Sequence, residues 1–398
     1  MKIAGIIAEY NPFHNGHAFQ IKKTRACGAT HIVAVMGGNH LQRGEPAQFE
    51  KHIRTHAALC CGADLVLELP LPYAAATAER FASGAITVMH ALGCVDMLSF
   101  GAESTLAELE PIAEALLSGK LSGNVRPHLS LGLSFARARQ LALEAQLGIG
   151  RAAAIKSPNN ILGIEYLKAA KRLNFTPEFC VITRKGAGHD SVVASGKFAS
   201  ASLLRSEASA SGVTALRQFV PSASYNIYDD AYAQGLLPAD PNRTGTAVLA
   251  VLRRMTKASF ATLPDISEGL ENRFYTAVRK ATSTDELLTM LKSKRYPLSR
   301  LRRLVLSAYL GLTADDSKAP LPYIRVLGFN SKGLEVLSLA KNTATLPISS
   351  SLAQLRGQNA ACERFSFLES QATDLYTLSL PTPLPCGYEF TCNAIMLK

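Results

Sequence analysis

MKIAGIIAEYNPFHNGHAFQ (1–20) decides how the rest of this chain is to be read. Ile3–Ala8 is an apolar run of strand length that stops at Glu9. Asn11-Pro12 then favours a turn, because a residue before proline is pushed out of the helical region. His14 and His17 follow three apart where a helical pattern begins, so both can face one side. A helix N-terminus with free N–H groups favours anions. Gly16 removes a side chain between the histidines, letting a base or phosphate come close to the backbone. HxGH at the end of a first strand is therefore a device for holding the phosphates of a nucleotide. Two histidines with no third ligand at helical spacing do not make a zinc site, and no metal ligand is assigned.

Outward from this stretch, short apolar runs alternate with helical patterns. His31–Met36, Asp64–Leu69, Asp96–Phe100 and Phe179–Thr183 have strand length; His17–Cys27, Phe49–Cys61, Thr77–His90 and Leu106–Leu117 have helix length. The alternation predicts an α/β fold with a Rossmann-like parallel sheet, and ligands enter such sheets beyond the carboxyl ends of the strands. Past residue 221 the texture changes to helical spacing at 247–259, 269–281, 283–291 and 299–312, with one candidate strand at Tyr323–Leu327. Two domains are expected: an α/β one that carries the HxGH turn over 1–221 and a mainly helical, basic one over 222–398.

The 398 residues carry 42 Lys+Arg against 31 Asp+Glu, a formal charge of +11. That surplus suits a polyanionic partner. It is densest in RRM (253–255) and KSKRYPLSRLRR (292–303), where Arg253, Arg254, Lys292, Lys294, Arg295, Arg300, Arg302 and Arg303 suit RNA phosphates and Tyr296 suits either a base or the core. The eight cysteines form no CxxC pair and no zinc spacing. Most lie in apolar stretches, where a thiol behaves as a small buried hydrophobe. The N-terminal apolar run is too short for a signal peptide, and no stretch is long enough to span a bilayer, so a cytoplasmic protein without a membrane partner is expected.

NPFHNGH (11–17) resembles the turn of the HIGH-type nucleotidyltransferase superfamily. GGNHLQRGEPAQFEKHIRTHAAL (37–59), GADLVLELPLPYAAATAERFASGAI (62–86), SFGAES (99–104), SPNNILGIEYLKA (157–169), ITRKGAGHD (182–190), FASASLLR (198–205), RYPLSRLRRLVLSAYLGL (295–312) and YIRVLGFNSKG (323–333) are similar to the bacterial tRNA(Met) cytidine acetate ligase family. The resemblance implies a ligase that activates acetate with ATP and Mg²⁺ to acetyl-adenylate, and passes the acetyl group to N4 of the wobble cytidine of elongator tRNA(Met). It also implies that His14 and His17 are catalytic. The ATP site it implies comprises Ile7, Ala8, Glu9, Tyr10, Asn11, Pro12, Phe13, His14, Asn15, Gly16, His17, Ala18, Phe19 and Gln20, with Gly101, Asn159 and Arg184.

Several positions carry more than one reading. Asn159 follows Ser157-Pro158 and is also placed to cap a helix, and Asn160 shares its chemistry. In FASASLLR, Ser200 or Ser202 can cap while Arg205 reaches phosphate. Lys185 and His189 lie in a glycine-containing stretch able to close over the site. Arg43 and Glu45 of QRGEPA (42–47) suit the active-site rim or an internal ion pair; Asp64 suits a structural role, and Glu68 a place near the site. The alternative activity is that of a small-molecule adenylyltransferase. Against it stands the basic helical half, which such an enzyme does not need. Intact His14, Gly16 and His17 argue against a non-catalytic RNA-binding protein.

Overall fold

The computed structural model describes residues 1–133, 135–183, 194, 196–267, 269–294 and 296–398. The five apolar runs of the first half become β1 (Ile3–Ala8), β2 (His31–Gly37), β3 (Leu65–Leu69), β4 (Met97–Ala102) and β5 (Glu178–Thr183). They lie in the order β5-β4-β1-β2-β3, all parallel. The chain builds β1 to β3 in one direction, then returns to start β4 on the far side of β1. The strand order therefore reverses between β1 and β4.

Side chains alternate between two cores, as the strand period requires. Ala4, Ile6, Ile32, Ala34 and Val66 face one core with Ile21 of α1 (Asn15–Ala26) and Ala57 of α2 (Lys51–Cys60). Ile3, Val33, Val35, Leu65 and Leu67 face the other, with Phe81 and Met89 of α3 (Ala78–Leu92) and Ile164 and Leu167 of α4 (Pro158–Arg172). α5 (Ala201–Ser211) adds Leu204 to the first core.

Next come α6 (Gly245–Arg254), α7 (Leu270–Lys280), α8 (Thr284–Leu291) and α9 (Leu298–Leu310), around a core of Leu252, Phe274, Leu287 and Leu301. Tyr296 is buried in that core, so packing takes the ring that stacking on a base would need exposed. Two of the basic residues read as RNA ligands also brace the region: Arg253 donates to Ala281 O (2.9 Å), and Arg300 to Asp265 O and Ser267 Oγ (both 2.7 Å).

After residue 318 the chain returns to the sheet. β6 (Ile324–Phe329) pairs antiparallel with β3, and β7 (Ile348–Ser349) and β8 (Ile395–Met396) pair parallel with β6. α10 (Ala360–Thr377) and α11 (Tyr388–Thr391) lie in the same segment. The sheet thus takes strands from both sides of residue 221.

The joint between the two halves is ionic and dry. Register sets Glu68 of β3 opposite Arg325 of β6. Lys51 Nζ lies 2.5 Å from Glu68 Oε1 and 2.6 Å from Glu389 Oε1, while Arg325 donates to Glu68 Oε2 (2.9 Å) and to Glu389. None of the four is more than 1% exposed. Glu369 of α10 lies beside them and accepts from Leu71 N. Burial, and then the nearby Glu68 carboxylate, push the Glu369 carboxyl up to about 8.

The thiols are less buried than their apolar surroundings suggest. Cys180 and Cys362 are buried, whereas Cys27, Cys60 and Cys386 are exposed and all eight are free. Cys27 and Cys60 sit where α1 and α2 end, which turns them outward. Among the described residues no helix is long and apolar enough to cross a membrane.

The raised carboxyl of Glu369 makes stability depend on pH. An unfolded glutamate loses its proton near 4.5, the folded one near 8. The stabilising contribution is complete at low pH and is lost as the pH climbs between those values. Glu369→Gln keeps an acceptor for Leu71 and cannot ionise. Its melting temperature is expected to fall less than the parent's between about pH 5 and pH 8; equal slopes in a thermal melt series would contradict proton uptake by Glu369.

Candidate active site

A cavity of about 590 Å³ opens beyond the ends of β1 and β4, where the strand order reverses and open parallel sheets take their ligands. Ile7, Ala8, Glu9, Tyr10, Asn11, His14, His17 and Gln20 line it, and so do Gly101 and Asn159. The rest of the 7–20 run holds those residues in place. Phe13 is fully buried against the rings of Tyr10 (4.9 Å) and His17 (5.5 Å). Asn15 Nδ2 donates to Lys197 O (2.9 Å) and Gln218 O (3.1 Å), and Phe19 meets Phe198 edge-on. Pro12, Gly16 and Ala18 lie between them. Arg184, Lys185, His189 and Arg295 lie outside the described residues.

The two histidines are fixed by their own backbone. His14 is the N-cap of α1, and its Nδ1 accepts from Gly16 N (3.0 Å); His17 Nδ1 accepts from His14 N (3.2 Å). With both Nδ1 atoms acting as acceptors, each neutral ring carries its hydrogen on Nε2. The rings stack at 3.8 Å and 16°. A Cβ on Gly16 would stand 2.8 Å from His14 Cε1, so the space expected for a ligand at this glycine is taken by the imidazole. The amides of the turn are likewise engaged within the protein. Phe13 N donates to Tyr228 Oη, Asn15 N to Phe219 O and His17 N to His14 O. Those three amides are therefore satisfied by the protein itself.

Among the described residues, four arginines line the cavity. Arg205 of α5 lines it and donates to Asn11 O (3.0 Å), while Ser200 caps α5 through Leu203 N and Ser202 lines the wall. Arg43 comes from the loop after β2, and Arg302 and Arg303 come from α9. Gly44, with φ +80°, is the only residue type that fits there, since a Cβ would lie 2.5 Å from Arg303 N. Glu45 pairs with Arg302, the ion pair that the sequence left open. Among the described residues that line the cavity, Glu9 and Glu45 are the only carboxylates. Burial pulls the Arg303 guanidinium below its ordinary value and pushes the Tyr10 and Tyr166 hydroxyls above theirs, so both phenols stay neutral.

The two asparagines divide their roles. Asn160 accepts from Glu103 N (2.9 Å) and Ser104 N (3.0 Å), and donates to Ala154 O and Ser104 Oγ. It fixes the turn after β4. Asn159 reaches the cavity and donates to Glu103 Oε1 (2.5 Å), while Ser157 occupies the N-cap of α4. Asp64 accepts from Ile32 N and Arg25 in a structural role, and Glu68 belongs to the buried ionic joint.

Arg54 of α2 has no signal in the sequence. It is fully buried and donates to four carbonyls: Phe49 O (2.7 Å), Glu9 O, Gly37 O (3.1 Å) and Gly38 O. It ties the end of β1 to the end of β2, beneath the cavity. Phe81, Phe100 and Tyr166 add an apolar wall.

A family model described as HIGH Nucleotidyl Transferase matches residues 1–385. The tRNA(Met) cytidine acetate ligase of Thermoanaerobacter sp. (strain X514) is 38% identical over 407 residues, and that of Acetivibrio thermocellus 37% over 415, each covering 100% of both chains. Two crystal structures of Thermotoga maritima TmcAL also superpose over 100% of both chains. The apo form has a TM-score of 0.94 at 31% identity, and the form bound with alpha-thio ATP has 0.92 at 30%. The chain belongs to the HIGH nucleotidyl transferase family and, within it, to the tRNA(Met) cytidine acetate ligases.

Lysine cannot span the carbonyls that Arg54 joins. Arg54→Lys is expected to cost about 3 kcal/mol, the scale of a lost charge-assisted bond with its acceptors left buried. Urea unfolding of the purified variant measures this, and a cost near zero would remove Arg54 as the brace of the cavity floor.

Proposed function

We propose that this protein forms acetyl-adenylate from acetate and ATP, releasing pyrophosphate, and transfers the acetyl group to N4 of the wobble cytidine of elongator tRNA(Met). The observation that carries this reading is the stacked His14–His17 pair at the strand switch point, inside a cavity whose far wall is α9 of the basic helical region. Acetate is already an anion at neutral pH and needs no general base to attack the α-phosphorus. What the site must supply is in-line positioning and stabilisation of the charge that grows on the leaving pyrophosphate. The Nε2–H groups of His14 and His17, the N-terminal end of α1 and the ring of arginines supply that field. Gly101 leaves room for the adenosine against β4, and Asn159 lines the same cavity. By the family resemblance, Arg184 is a further phosphate ligand.

Magnesium has no cage of its own here. Among the described residues no cluster of three His, Cys, Asp or Glu side chains suits a metal, and Glu45 is already paired with Arg302. The ion would travel with the triphosphate. In the second half-reaction the cytidine amine attacks the acetyl carbonyl and AMP leaves. The unpaired anticodon base needs little opening to enter the cavity. The exposed Lys292, Lys294 and Arg254 hold RNA phosphates. A tRNA substrate makes the cytoplasm the working compartment.

Two experiments test this. ATP–pyrophosphate exchange is expected to depend on acetate, and labelled acetate is expected to enter tRNA(Met); exchange that ignores acetate, with or without tRNA, would defeat the reading. Gly16→Ala, which pushes the His14 ring aside, is expected to slow exchange about 10²-fold, the usual penalty for a misplaced reacting geometry. His17→Ala is expected to abolish exchange while circular dichroism stays unchanged, and full activity in either variant would remove the histidine pair from the chemistry.

A further inference from the structure

Ser99 of β4 and Cys180 of β5 are cross-strand partners, so their side chains leave the sheet on the same face. α1 lies over that face. Thr24 Oγ1 meets Ser99 Oγ at 2.6 Å. Three residues further along, Cys27 carries its sulfur to Cys180, with the two Sγ atoms 2.6 Å apart. Helix spacing and strand register therefore impose the same pairing twice, Thr24 with Ser99 and Cys27 with Cys180. Cys27 is exposed and Cys180 is buried, so Cys27 is the more accessible of the two. Neither thiol has a part in the chemistry proposed above.

We propose that Cys27 and Cys180 form a modification site, a thiol pair that a small disulfide such as oxidised glutathione converts to an intramolecular disulfide. The Cys27 sulfur, giving up its proton, attacks one sulfur of the reagent. The reagent's S–S bond breaks, and the released thiolate takes up a proton. The Cys180 sulfur then attacks Cys27 Sγ and expels the second thiolate, which takes the Cys180 proton. Two protein thiols are oxidised, and one reagent disulfide is reduced to two thiols. Burial, and then Cys27 itself, push the Cys180 thiol up to about 12, so Cys180 reacts only through its neighbour. The bond ties the end of α1, the helix that begins at the histidine pair, to β5 at the edge of the parallel strands.

The full-length protein is incubated with oxidised glutathione, quenched in acid, alkylated under denaturing conditions and digested without reduction. The expected product is a cross-linked peptide joining Cys27 to Cys180, about 2 Da lighter than the two reduced peptides together. In Cys180→Ser, Cys27 should retain a glutathione adduct. In Cys27→Ser, Cys180 should react at least about tenfold more slowly than in the parent. A parent protein in which Cys27 keeps glutathione while Cys180 remains alkylatable would overturn the proposal, as would one in which neither residue reacts.

Discussion

Lys51, Glu68, Arg325 and Glu389 come from four different elements and meet where water does not reach them. Two cations and two carboxylates balance there only while all four are present; stranding one of a buried pair costs about 3–5 kcal/mol. Helix α2 carries this constraint to the cavity. Lys51 stands in its first turn and Arg54 one turn later, where the guanidinium gathers the carbonyls at the ends of β1 and β2. The C-terminal strands therefore stiffen the cavity floor although they contribute no residue to the cavity wall.

The helical region is bound to the cavity by the loop after β2. Gly44 packs against the backbone of α9, and Glu45 pairs with Arg302. α9 supplies Arg302 and Arg303 to the cavity. An RNA lying along it would have its phosphates and its reacting base governed by one rigid element, which is how a remote contact can position a reacting group.

Much of this was legible in the residues. Strand-length apolar runs between helical patterns marked the parallel sheet, and the HxGH turn marked the end of β1 at which the cavity opens. Periodicity could not reveal that β6 rejoins the sheet antiparallel to β3, because a six-residue buried strand after a long helical stretch carries no sign of its partner. Nor could it find Arg54, whose ligands are backbone carbonyls and leave no trace in residue type. Gly16 was visible, but for the wrong neighbour: its missing side chain makes room for the His14 ring. Asn159 and Asn160 were chemically equivalent in sequence, and only the path of the chain after β4 separates them.

The stacked imidazoles have a thermodynamic consequence. Each ring is pinned at Nδ1 by a backbone amide and pressed against the other, so their rotamer freedom is surrendered when the chain folds. Ordering a loose side chain at the moment of binding costs about 0.5–1.5 kcal/mol, and here that cost falls on the folding equilibrium instead. Any ligand that enters the cavity meets rings that are already oriented. The entropy of association is then left to the ligand, and the protein's share has been met in its own stability.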